Sequence, residues 1–172
     1  MQKKTTETLI LPLIASSVLL VDQISKHLIV KTLRQGQIWY IFPRLASLFQ
    51  FTYVTNTGAA FGLLPQWGDF FVIIASLVII ALVLYYIHLP DGEWVVRIAL
   101  GLQLGGALGN LVDRLHRGFV VDFIDLNFWP LAHWPVFNLA DTSIVTGVVV
   151  LIGLMLWEEW SQARERPTME HG

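Results

Sequence analysis

Residues 105–125, GGALGNLVDRLHRGFVVDFID, decide how the chain is read. The stretch begins as a glycine-rich apolar helix and runs into a segment holding Asp113, Arg114, Asp122 and Asp125. A second piece, Phe137-Asn138-Leu139-Ala140-Asp141, follows it and opens the last apolar run. Asn110, Asp113, Asp122, Asn138 and Asp141 therefore sit at or near the ends of two membrane-length segments. Lipid makes such residues costly, and function is the usual reason for keeping them there.

Composition sets the class around this stretch. With 172 residues, 55% hydrophobic and 14% charged, and a mean hydropathy of +0.60, the chain is too apolar for an ordinary soluble domain and reads as an integral membrane protein. A formal charge of -2 gives no basic surface for nucleic acid, and the absence of Cys removes disulfides, thiolate nucleophiles and thiolate metal sites together. Catalysis is left to carboxylates, His or hydroxyls.

Working outward, the third span is expected at about 95–113, with Gly101, Gly105 and Gly109 on one stripe where another helix backbone comes close. Residues 114–135 leave it without a second apolar run, and Phe128, Trp129 and Trp134 keep that segment at the interface. The fourth span is expected at about 136–160, ending in Trp157 and Trp160 before a polar, mobile tail, SQARERPTMEHG. The second, about 68–90, has no Lys, Arg, Asp or Glu from 70 to 90 and looks structural.

The first span, about 9–30, follows Lys3 and Lys4 and imitates a signal peptide. That reading fails, because the apolar pattern continues through Ile24, Leu28 and Ile29 and more spans follow. Within it Asp22 and Lys26 lie four apart on one helical face, as an ion pair that cheapens two charges in lipid or as part of a site. Between the first two spans, 31–66 carries a strand signal: Phe49, Phe51 and Tyr53 alternate with Gln50 and Thr52 as far as the turn-like Asn56-Thr57-Gly58. Trp39, Tyr40, Pro43 and Trp67 surround it, which places a small strand-rich subdomain at the membrane surface. From composition, Asn56 is a turn residue. No repeat or linker divides the chain, so residues 1–172 read as a single domain.

Four spans that alternate in direction bring the end of the first, the end of the third and the start of the fourth to one face. Asp22, Lys26, Asn56, Asn110, Asp113, Arg114, Asp122, Asn138 and Asp141 all come to that side. Lys and Arg are balanced between the two sides, so the positive-inside rule sets no orientation.

Asp122 and Asp141 at the rim of a bilayer suit one chemistry. Two close carboxylates in a low-dielectric pocket do not both ionise easily, so one takes a proton from water while its protonated partner assists a scissile carbonyl. Asn138, three residues before Asp141, is placed to orient a carboxylate or a substrate backbone; capping and interhelical hydrogen bonds would use the same residues. Other chemistries find less support. The five His residues lack ligand spacing, no HExxH or G-x-S-x-G occurs, Ser143 beside Asp141 is more simply a helix residue, and Gly105-Gly106 follows no strand. A proton-coupled transporter would spread ionisable groups through the membrane depth, and a glycine-packed scaffold would leave Asp122 and Asp141 without a purpose.

The blocks Asp22-Gln23-x-x-Lys26, Asn56-Thr57-Gly58-Ala59-Ala60-Phe61-Gly62, Gly105-Gly106-Ala107-Leu108-Gly109-Asn110-Leu111-x-Asp113-Arg114, Gly118-x-Val120-Val121-Asp122-Phe123 and Phe137-Asn138-x-Ala140-Asp141 cover nearly the whole chain in order. Together they resemble lipoprotein signal peptidase, or signal peptidase II, a family of bacterial intramembrane aspartic peptidases. The resemblance implies a mainly α fold of four transmembrane helices with a small strand-rich extracytoplasmic subdomain. It also implies that Asp122 and Asp141 are the catalytic pair, that Asn56, Gly58, Asn110, Arg114 and Asn138 line the site, and that Asp22, Lys26 and Asp113 support it. The expected substrate is a prolipoprotein in the membrane lipid, cut before a diacylglyceryl Cys, and the expected inhibitor is globomycin. No cofactor or metal is implied. By the same resemblance the protein lies in the bacterial inner membrane, with both termini cytoplasmic and the site toward the extracytoplasmic face.

Overall fold

The computed structural model describes residues 2–40, 44, 46, 48–58, 68–131 and 134–165. Helices α1 (Gln2–Thr32), α2 (Gly68–Ile87), α3 (Trp94–Arg117) and α4 (Leu139–Glu165) each contain a segment long and apolar enough to cross a membrane. Pro43 and Trp67 of the expected aromatic patch, the 59–62 part of the glycine motif, His133 and the tail from 166 lie outside the described residues.

Helix α3 is central, with α1, α4 and, less extensively, α2 packed on it. The reason is its small residues. A Cβ added at Gly101 would come within 2.8 Å of the Ile14 Cβ, and one at Gly105 within 2.7 Å of the Ala15 carbonyl oxygen, so the glycine stripe lets the α1 backbone lie directly on α3. Gly106 does the same for α4 at Ala140, and Gly147 of α4 lies as closely on Ala99. By contrast α2 has no fully buried residue: Ile79, Leu82 and Tyr86 pack against the core, while Ile73, Leu77, Ile80 and Leu84 face outward.

At one end of the bundle the helices close on themselves. Pro12 lacks an N–H, which frees the Thr8 carbonyl four residues earlier, and the Tyr86 hydroxyl donates to it. Arg97 donates to the carbonyls of Leu89 (3.3 Å) and Pro90 (2.8 Å), past the last turn of α2.

The opposite end carries a three-stranded antiparallel sheet, β1 (Ile38–Trp39), β2 (Phe49–Asn56) and β3 (Val120–Leu126), in the order β1-β2-β3. The third strand corrects the expectation that residues 114–135 merely follow the interface. Polar residues carry α3 a further turn to Arg117. Gly118 then caps it in the left-handed region (φ 76°), its N–H bonded to the Arg114 carbonyl at 3.0 Å, and the chain enters β3. Ile29 and Leu33 from the end of α1 pack with Tyr53, Val121 and Phe123, fixing the sheet to the bundle.

A bulge interrupts the alternation expected through Tyr53. Phe51 pairs with Ile124, but Val54 pairs with Asp122, so Thr52 and Tyr53 together oppose Phe123. Because one residue of slip exchanges the faces of a strand, the bulge turns Val54 and Asn56 to the side of Asp122.

Candidate active site

The start of α4 fixes the first carboxylate. Asn138 is its cap: the Asp141 N–H donates to Asn138 Oδ1 at 2.9 Å, and the Asn138 N–H donates back to Asp141 Oδ2 at 3.3 Å. This reciprocal arrangement satisfies helix-terminal donors and locks both side chains. Since the helix begins at Leu139, Asp141 lies in its first turn, earlier than a span from 136 suggested. The adjacent Ala140 N–H donates to Asp22 Oδ1 of α1 at 3.0 Å.

Asp122 stands on β3, four residues past the Gly118 cap, and is buried. Asn138 Nδ2 donates to its Oδ1 at 2.7 Å and Asn56 Nδ2 to its Oδ2 at 3.0 Å. Asn56 is also the turn residue its composition suggested, because its Oδ1 accepts the Gly58 N–H at 3.0 Å. On Asp141 the matching donor is Asn110 Nδ2, 2.7 Å from Oδ1. Neutral amides thus hold both carboxylates. Burial, and then the nearby charge of Asp141, push the Asp122 carboxyl up to about 7, while the Asn56 and Asn138 hydrogen bonds and the Lys26 charge oppose the rise.

A charged cluster lies behind the amides. Lys26 Nζ is 2.9 Å from Asp22 Oδ2, 3.0 Å from Asp113 Oδ2 and 2.9 Å from Asn110 Oδ1. The i,i+4 ion pair considered for Asp22 and Lys26 is thus present, and the same ammonium also reaches Asn110. Asp113 adjoins Arg114 in sequence but does not pair with it, because neighbours in sequence diverge around a helix. Asp113 instead meets Lys26, Arg117 at 3.3 Å and the Val121 N–H at 3.1 Å. Arg114 donates to the carbonyls of Asn110 (3.3 Å) and Gly58 (3.1 Å), and its guanidinium lies 5.8 Å from the centre of the Phe71 ring.

Asp122, Asp141, Asn56, Asn110 and Arg114 line a cavity of about 570 Å³ whose remaining wall is largely apolar, with Leu131, Trp134, Val136, Phe137, Ile144 and Val145. Such a space has room for an apolar chain beside two carboxylates. Asp125 stays out of the site: on the sheet it accepts from Gln50 Nε2 at 2.6 Å and Thr52 Oγ1 at 2.8 Å. The Ser143 hydroxyl is spent on the Leu139 carbonyl. Two contributors went unrecognised in the sequence. Arg117 follows Asp113 at a readable i,i+4 spacing, whereas Gln23 stands in the first motif block without a role that spacing could assign, since its Nε2 reaches Asp22 and the Gly109 carbonyl of another helix.

Four membrane-length helices with two amide-held carboxylates at one rim have the outline of a membrane-embedded aspartic peptidase. The model of the signal peptidase (SPase) II family matches residues 14–157. The lipoprotein signal peptidase of Moorella thermoacetica is 45% identical over 153 residues, covering 89% of this chain and 97% of that protein. That of Halothermothrix orenii is 42% identical over 142 residues, covering 83% and 91%. A bacterial membrane enzyme solved by the in meso method at 2.3 Å superposes with a TM-score of 0.79 at 36% identity, covering 91% of this chain and 92% of that one. The chain belongs to the signal peptidase II family, aspartic peptidases that remove signal peptides from prolipoproteins in the membrane.

Proposed function

We propose that this chain cuts a prolipoprotein just before a Cys that carries a diacylglyceryl group, and that Asp122 and Asp141 perform the hydrolysis. One observation carries the reading. Asn138 touches both carboxylates, at 2.7 Å from Asp122 and 3.3 Å from Asp141, on the wall of a largely apolar cavity. Asp122, held up to about 7, keeps the proton and gives it to the scissile carbonyl oxygen. Asp141 takes a proton from the attacking water and a tetrahedral diol forms; as the C–N bond breaks, Asp141 gives that proton to the leaving nitrogen and Asp122 takes its own back from the diol hydroxyl that becomes the new carbonyl. Asn56, Asn110 and Asn138 keep the two carboxylates in place, Arg114 and Gly58 border the peptide, and Asp22, Lys26 and Asp113 support the amides. No cofactor takes part.

The lipid on the Cys explains why the site lies at the rim: its acyl chains hold the Cys at headgroup depth, where Asp122 and Asp141 meet it. The sheet acts as a surface clamp on the extended peptide. The face with the site is extracytoplasmic, the two termini are cytoplasmic, residues 1–172 work as one peptidase domain, and globomycin binds in the same cavity. Cleavage of a diacylglyceryl-modified precursor and of its unlipidated form, followed by gel shift with the purified protein, tests the proposal. Acyl burial contributes about 0.8 kcal/mol per methylene, so only the lipidated precursor should be cut efficiently; equal rates would sink the idea.

A further inference from the structure

We propose that Lys26 is a positioning residue for Asp141 that acts through Asn110: its ammonium fixes which end of the Asn110 amide faces the carboxylate. This rests on the reading of Asp122 and Asp141 as the working pair. An amide has an acceptor on one side and a donor on the other with nearly the same shape, so its neighbours decide its polarity. Around Asn110, Lys26 Nζ at 2.9 Å and Asn138 Nδ2 at 3.2 Å both meet Oδ1, which leaves Nδ2 for Asp141 at 2.7 Å. Turned over, the amide would set donors against donors and its oxygen against a carboxylate.

Of the two donors, Lys26 gives the shorter bond and cannot change role, since an ammonium has three donors and no acceptor. A charge-assisted bond is also about twice as strong as a neutral one. Its other two protons are committed to Asp22 and Asp113, and the side chains of all three are 0% exposed, so water does not substitute. Those carboxylates reach further: Asp22 accepts the Ala140 N–H and Asp113 the Val121 N–H. Each of these residues directly precedes one member of the pair. A single cation from α1 therefore sets both the placement of the two segments and the polarity of the amide between them.

The test is a double-mutant cycle on turnover of the diacylglyceryl-modified precursor by the full chain in detergent, with kcat and KM taken per folded, monodisperse enzyme. Lys26→Met should lower kcat about a hundredfold at nearly unchanged KM, as a small misplacement near the chemistry does. Asn110→Ala should be similar, and the double variant no slower than Asn110→Ala alone. Lys26→Gln restores a donor without the charge and should recover about tenfold of the loss. Effects that multiply in the double variant would overturn the proposal, leaving Lys26 a role in stability. Equal rates for Lys26→Gln and Lys26→Met would overturn it too, leaving a role by charge alone. Should Lys26→Met not fold, Lys26→Gln with Asn110→Ala completes the same cycle. Asp141→Asn run alongside separates the two levels: full activity there removes the working pair, whereas inactivity there with a multiplicative cycle removes only the role of Lys26.

Discussion

Both ends of α3 adjoin a buried cation, and the two are treated differently. Near Trp94, Arg97 donates to two backbone carbonyls and lies 5.3 Å from the centre of the Tyr86 ring. Near Arg117, Lys26 meets two carboxylates and an amide. The first arrangement ends where it begins, supplying donors to backbone carbonyls of the link that follows α2. The second continues outward through Asn110 and Asn138 to Asp122 and Asp141 on a cavity wall. A buried charge in a membrane protein therefore does not by itself mark the site. The direction in which its hydrogen bonds lead, toward backbone or toward a cavity, separates the two ends.

That contrast breaks if chemistry tolerates changes at the cavity end or suffers from changes at the other. The largest effect is expected from Asp122→Asn and Asp141→Asn, each lowering turnover on the order of 10⁴-fold. Both should remain folded, as judged by melting temperature in detergent, because Asn keeps the shape of a protonated carboxyl and adds no buried charge. Next, Asp113→Asn should cost about 3 kcal/mol of stability by unbalancing a buried cluster, while keeping part of the activity because the Lys26 bond to Asn110 survives. A thermal melt and a gel-shift assay on the same preparation check it. Smallest is Arg97→Met, expected to lower stability by about 2 kcal/mol through lost hydrogen bonds and to leave kcat alone. A kcat loss as large as that of Asp113→Asn would erase the distinction between the ends.

Much of this was legible in the sequence, and the omissions have physical causes. Apolar runs give four helices because lipid demands continuous apolar length, and alternation of direction gathers Asp22, Asn110, Asp122 and Asp141 at one end. β3 left little trace: Val120, Val121, Asp122 and Phe123 are all buried, so no polar alternation remains to announce a strand. The bulge at Thr52 and Tyr53 was equally silent, though it aims Asn56. Spacing within α3 does not announce the Lys26 partner of Asp113, because Lys26 comes from another helix, a contact made possible by close glycine packing. The polar extension of α3 to Arg117 escaped because an apolar criterion stops at the water, while a helix stops at its cap.

The central claim is that Asp122 and Asp141 work as a pair sharing one proton, with Asp122 holding it. The most direct measurement is the pH dependence of kcat for the unaltered chain with the lipidated precursor. The Asp122 carboxyl is pushed above the usual carboxylate range to about 7, so its proton is present below that pH and lost above it. Turnover should therefore fall as pH rises through about 7, approaching about tenfold per unit on the alkaline side. A rate that stays constant from about pH 6 to about pH 9 would contradict the account, because no shared proton would then be limiting.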